Sequence, residues 1–199
     1  MTRTSTSIVF GLLLCSAPAW AVDCKQTLNA LGPGAMQMAF DEFDQSEKGW
    51  RSLSKDGCFA EAALLIERYA YSLDSQYRLL KWHLAQMHAT AGDATAALAA
   101  AALSLNPTQE QMHPEFDWNS YVSATMAFLK RDRASFDVHR AALKAKAGKF
   151  AMNAPNDQAL DRLASCFAKP YAEAYACQAS VLPNPSPGRP QPPPVRTPC

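Results

Sequence analysis

Apolar side chains recur three and four positions apart along most of this chain, the spacing of α-helices with one buried face. The clearest stretch runs from Ser75 to Pro107. Ser75 is placed to cap a helix in which Leu79, Leu80, His83, Leu84 and Met87 keep adjoining faces apolar up to Gly92. Asp93 then caps a partner from Ala94 to Leu105, which Asn106-Pro107 ends. Upstream, Phe59, Ala62, Leu65, Ile66 and Tyr69 share one face of a helix that begins after Cys58. Downstream, Asp117 caps a helix from Trp118 to Lys130. Another runs from Asp132 to Ala147 with Phe136, Val138, Ala141 and Leu143 among its apolar positions.

The ends are less regular. Asp23 caps a short helix from Cys24 to Leu31 that Gly32-Pro33-Gly34 is expected to stop. Ala35 to Phe43 is apolar enough to pack as a helix, and Ser46 to Lys55 carries Trp50 and Leu53 at helical spacing, with Gly57 as a left-handed terminator. Thr108 to Pro114 reads as a turn or a single winding. After a loop from Gly148 to Asn156 come a helix from Asp157 to Phe167 and a last one that Pro170 starts, YAEAYACQASV.

Four of these connections share a design. Gly57-Cys58, Gly92-Asp93, Arg131-Asp132 and Lys169-Pro170 each end one helix and begin another, and Cys58, Asp93, Asp132 and Pro170 lie at intervals of 35, 39 and 38 residues. Four hairpins at that period predict a solenoid, because a lone hairpin cannot cover its apolar face and a neighbour can. The unit around Gly92 resembles the tetratricopeptide repeat. It has small Ala85 after Leu84 in the first helix, the glycine turn, and the ending Ala102-Leu103-Ser104-Leu105-Asn106-Pro107. The resemblance implies an all-α stack of antiparallel hairpins whose first helices line a binding groove. On that register the groove positions are Arg51, Trp82, Gln86, Trp118, Tyr121 and Thr125. Aromatic residues suit binding, and Arg51 offers a cation to an acidic group. Trp82 and Trp118 equally suit an interhelical core.

Composition narrows the setting. Of 199 residues, 48% are hydrophobic, enough to bury a core, and 19 basic against 18 acidic residues leave no field that would favour nucleic acid. Residues 1–21 order a basic start at Arg3, an apolar run from Ile8 to Cys15, and Ala19 and Ala21 about Trp20, as in a signal peptide cut after Ala21. Leu14 before Cys15 departs from a lipoprotein site. No later apolar run approaches the roughly 20 residues that span a bilayer. The expected organisation is a signal peptide at 1–21, a leading segment at 22–45, the repeat domain at 46–181, and a proline-rich tail at 182–199. That tail is expected to be a disordered linker, a tether or a ligand for a groove.

Removing the leader leaves Cys24, Cys58, Cys166, Cys177 and Cys199, which an oxidising compartment would pair. Cys166 and Cys177 sit on the two arms of the last hairpin, where closing the loop contributes about 2–3 kcal/mol. Cys24 with Cys58 follows by elimination, and Cys199 is left for a dimer. No C-x-x-C or C-x-x-C-H suggests a redox, zinc or haem site, so no cofactor is expected. His83, Met87 and His88 suggest soft-metal binding or a small enzyme, but His83 and His88 are five apart rather than four. The acidic run from Phe40 to Asp44 reads as a solvated loop, since nothing beside it supplies a nucleophile. The chain thus reads as a non-catalytic periplasmic or secreted protein that binds a protein or peptide partner.

Overall fold

The structure is a computed structural model that describes residues 22–72 and 78–178. The expected signal peptide at 1–21, the expected Ser75 cap, and the proline-rich tail with Cys199 lie outside the described residues. Every regular element among the described residues is helical. In chain order they are α1 (Cys24–Ala35), α2 (Phe40–Gln45), α3 (Trp50–Lys55), α4 (Phe59–Ser72), α5 (Arg78–Ala91), α6 (Ala94–Ser104), α7 (Gln109–Met112), α8 (Trp118–Leu129), α9 (Arg133–Ala147), α10 (Ala154–Ser165) and α11 (Tyr171–Tyr175), with a 3-10 turn at Ala151–Asn153.

Three of the four connections are built alike at atomic level. Gly57, Gly92 and Arg131 take left-handed backbone, with φ of 79°, 89° and 59°. The next residue's N–H then reaches back over the turn, Cys58 to Leu53 O at 2.8 Å, Asp93 to His88 O at 2.9 Å and Asp132 to Ala127 O at 2.9 Å. This cap satisfies carbonyls the helix end would otherwise leave bare, and it turns the chain sharply enough for the next helix to start at once. Asp93 and Asp132 accept from the N–H of Ala96 and Ser135, at 2.9 and 3.0 Å, so each turn closes one helix and caps the other. The fourth connection departs from the pattern. Lys169 N–H returns only to Cys166 O, at 2.9 Å, and the disulfide Cys166–Cys177 bridges the two arms.

Packing follows the chain for most of its length. α4 lies on α3 and α5, α5 on α6, α8 on α9 and α6, and α10 on α8 and α9. α11 breaks that order, reaching back to pack against α5. At the other end, Cys24–Cys58 ties the start of α1 to the entry of α4 across 34 residues.

Local expectations fail in three places for identifiable reasons. α1 continues through Gly32-Pro33-Gly34 to Ala35: Pro33 removes one i→i−4 bond, and the full burial of Ala35 in the core favours continuing the helix despite it. The stretch 35–43 is not one helix, and only Phe40–Gln45 coils, with Phe43 against Tyr69 in a parallel stack at 3.7 Å. α10 starts at Ala154 rather than Asp157, with Pro155 in the first turn, where its missing N–H costs nothing.

Candidate functional site

The run Phe40-Asp41-Glu42-Phe43-Asp44 is not a solvated loop. It coils as α2, and the helical turn carries Phe43 and Asp44 inward, leaving Asp44 0% exposed. Asp44 Oδ1 accepts from His83 Nδ1 at 2.7 Å and from the Trp50 indole N–H at 3.1 Å, while Gln45 donates to Oδ2. Burial pushes the Asp44 carboxyl up, but the hydrogen bond and charge of His83, then Trp50 and Arg51, outweigh it and hold the group below the ordinary carboxylate range. A buried carboxylate with this many donors joins three elements, α2, α3 and α5.

Trp50 is the wall between that network and an open cleft of about 570 Å3. α3 and its preceding turn supply Glu47, Trp50, Arg51 and Lys55. Phe59 comes from α4, Gln86, Met87 and Thr90 from α5, and Tyr171 and Tyr175 from α11. Arg51 lies over the Trp50 ring, 4.4 Å from its centroid, and its Nε donates to Asp44 O. That bond and the stacking restrain the guanidinium. Lys55 is spent on Glu47, at 2.9 and 3.0 Å, an exposed pair.

The expected groove residues divide among three places. Arg51 and Gln86 meet in the cleft. Trp82, Tyr121 and Thr125 do not face open space. Trp82 is 3% exposed and packs edge-on against Tyr121 at 4.9 Å and Trp118 at 5.6 Å, and Thr125 shares a tight enclosure with Trp82, Gln86 and Tyr171. The reason is α11, which the repeat register does not anticipate: it brings Tyr171 onto the surface that those residues would otherwise present. Trp118 donates its indole N–H to Ser104 O at 2.8 Å and borders a different, apolar cleft with Leu79, Phe116 and Met152. Sequence reasoning missed Asp44, Tyr171 and Tyr175. The only signal was composition, an aromatic pair four apart beside a cysteine in the last helix.

No protein-family model, curated protein or solved structure matches the chain.

What the cleft can hold follows from its own lining. Burial, then the neighbouring Tyr171 and Tyr175 hydroxyls, holds the Tyr121 hydroxyl well above its ordinary pKa, and burial does the same for Tyr171. These phenols stay neutral and act only as hydrogen-bonding groups. The histidine and methionine side chains singled out in the sequence do not converge. His83 is turned to Asp44, Met87 lines the α3–α11 cleft, and His88 lies 3.6 Å from Glu67 in another cleft, with Leu64 and Tyr71. Among the described residues, no three histidine, cysteine or acidic groups gather at metal-binding distance. The cleft can seat apolar side chains between Trp50, Phe59 and Met87, with Arg51 to receive an acidic group at the rim.

Proposed function

We propose that this chain is a non-catalytic, exported helical-repeat protein of the cell envelope that binds a protein or peptide partner. In this reading its hairpins stack as a tetratricopeptide-like array, and the cleft between α3, α5 and α11 receives the partner. The observation that carries the reading is the composition of that cleft. Its walls combine aromatic and thioether groups with polar Ser54, Gln86 and Thr90, and Arg51, which has no salt bridge to a carboxylate among the described residues, is held in place by the Asp44 carbonyl and the Trp50 face. Binding sites of this kind draw affinity from buried aromatic contact and orientation from a fixed polar group. The leader at 1–21 and the two disulfides support export. No helix among the described residues is long and apolar enough to cross a membrane.

Crosslinking and affinity recovery from periplasmic extract test the reading. The wild-type chain is expected to retain a partner that Arg51→Ala and Gln86→Ala lose while keeping their helical circular dichroism. Equal recovery by all three would place the partner elsewhere, and turnover in a hydrolase panel would replace binding with catalysis. Cys199, left over once both disulfides form, extends the proposal to a disulfide-linked dimer, which non-reducing electrophoresis of the mature chain checks.

A further inference from the structure

α6 carries no charged side chain from Ala94 to Ser104, and only Thr95 and Ser104 are polar. A helix that is apolar all round is expected to be covered all round. Here α5 and α8 cover one side, burying Ala97, Ala100 and Ala101, while Ala99, Ala102 and Leu103 stay exposed, Leu103 by 64%. That open side borders a cleft of about 660 Å3 between α4 and α6, with α5 as its floor. On α4 the wall is Leu64, Glu67, Arg68 and Tyr71, at i, i+3, i+4 and i+7, and α6 repeats the spacing from Ala96 to Leu103. About two turns of each helix therefore face one trough, the shape that receives a helix. Leu64 and Tyr71 are exposed as well, Tyr71 by 94%.

Charge identifies the occupant. Arg68 and Lys81 line the trough with no carboxylate partner among the described residues, and Glu67 has only the His88 imidazole, at 3.6 Å. A partner helix charged with one sign would meet at least one like charge. A patch that holds both signs beside an uncharged helix is instead complementary to itself, as a twofold contact between identical chains requires. We propose that this trough is the interface of a homodimer, in which α6 of each copy lies along the trough of the other and Glu67 is set against the partner's Arg68 or Lys81. Alanine on the exposed side of α6 lets two helix axes approach more closely than bulkier side chains would allow. Tyr71 and Leu103, the most exposed apolar groups of the patch, are the anchors that the contact would bury. The trough shares no lining residue with the cleft that holds Arg51, so the dimer and the partner reading stand or fall separately.

Sedimentation equilibrium across micromolar concentrations tests this, with the mature chain carrying Cys199→Ser so that no dimer can form through that thiol. The Cys199→Ser chain is expected to dimerise. Adding Leu103→Lys or Tyr71→Ala should weaken the dimer at least about tenfold, as loss of an interface anchor does. Both side chains are exposed, so helical circular dichroism should not change. A cross-pairing then decides the occupant. Glu67→Arg makes the patch wholly basic, and Arg68→Glu with Lys81→Glu makes its flanking charges acidic. Each of these chains alone is expected to be monomeric, and an equimolar mixture should restore the dimer, which only contact between two copies of the patch can do. The proposal is overturned if the Cys199→Ser chain stays monomeric, as it would were a different helix the occupant. It is equally overturned if Leu103→Lys and Tyr71→Ala both dimerise as well as their parent, or if the mixture remains monomeric.

Discussion

His83 Nδ1 lies 2.7 Å from Asp44 Oδ1 although the two residues are 39 apart in sequence, and the bond fastens the leading segment to the middle of the helical body. Removing the imidazole would leave a carboxylate with no exposure and only the neutral donors Trp50 and Gln45, and breaking a buried pair in this way costs roughly 3 kcal/mol. His83→Ala is therefore expected to lower the urea midpoint sharply at pH 7. Asp44→Asn keeps an oxygen for the Trp50 indole and should cost less. The pH dependence has a definite sign. The Asp44 carboxyl is held below its unfolded value, so its contribution is complete above about pH 4 and is lost as pH falls through the folded value. Wild-type stability should decline below about pH 4, and Asp44→Asn should flatten that decline. Parallel pH profiles in urea would expose the error.

Trp82 serves as core. Its indole touches Trp118 and Tyr121 edge-on from a site with 3% exposure, so Trp82→Ala should cost about 3–5 kcal/mol. Guanidinium unfolding followed by circular dichroism checks this. A cost near zero would mean that the indole is a surface contact after all.

The helices were legible because their evidence is local. Phe59 to Tyr69 shows one face at helical spacing, and Gly57, Gly92, Asp93 and Asp132 carry their turn and cap chemistry in their own side chains. Both disulfides could be reached by counting and proximity. Asp44 with His83 could not, since nothing near either residue signals a partner 39 positions away. The groove failed for a related reason. The repeat register tells which faces of α5 and α8 point the same way, but not that the helix Pro170 starts ends already at Tyr175 and returns to lie on α5.

The Cys24–Cys58 bond is the longer closure, spanning 34 residues. Chain-entropy arguments assign it roughly 3–4 kcal/mol, against about 2–3 for the 11-residue closure at Cys166–Cys177. Replacing both Cys24 and Cys58 with serine should therefore destabilise more than the equivalent change at the other pair. It also leaves a buried hydroxyl at position 58, which adds to the difference. Thermal midpoints of the two double variants give the order directly, and a reversed order would mean that α11 matters more to the fold than α1.

Arg131 holds two roles that substitution can separate. Its φ of 59° is a left-handed conformation that costs a residue with a Cβ about 1 kcal/mol, a strain that Gly57 and Gly92 avoid at the matching turns. Its guanidinium, over the Phe128 ring at 5.1 Å, donates to the carbonyls of Phe167 and Lys169 and so steadies the approach to α11. Arg131→Gly and Arg131→Ala both lose the second role, while only glycine relieves the first. Arg131→Gly should thus be more stable than Arg131→Ala by about 1 kcal/mol. In both variants hydrogen exchange should rise across 167–171, where the carbonyl contacts are lost. If the two variants unfold at the same urea concentration, the backbone at 131 carries no strain, and the guanidinium contacts alone account for the arginine.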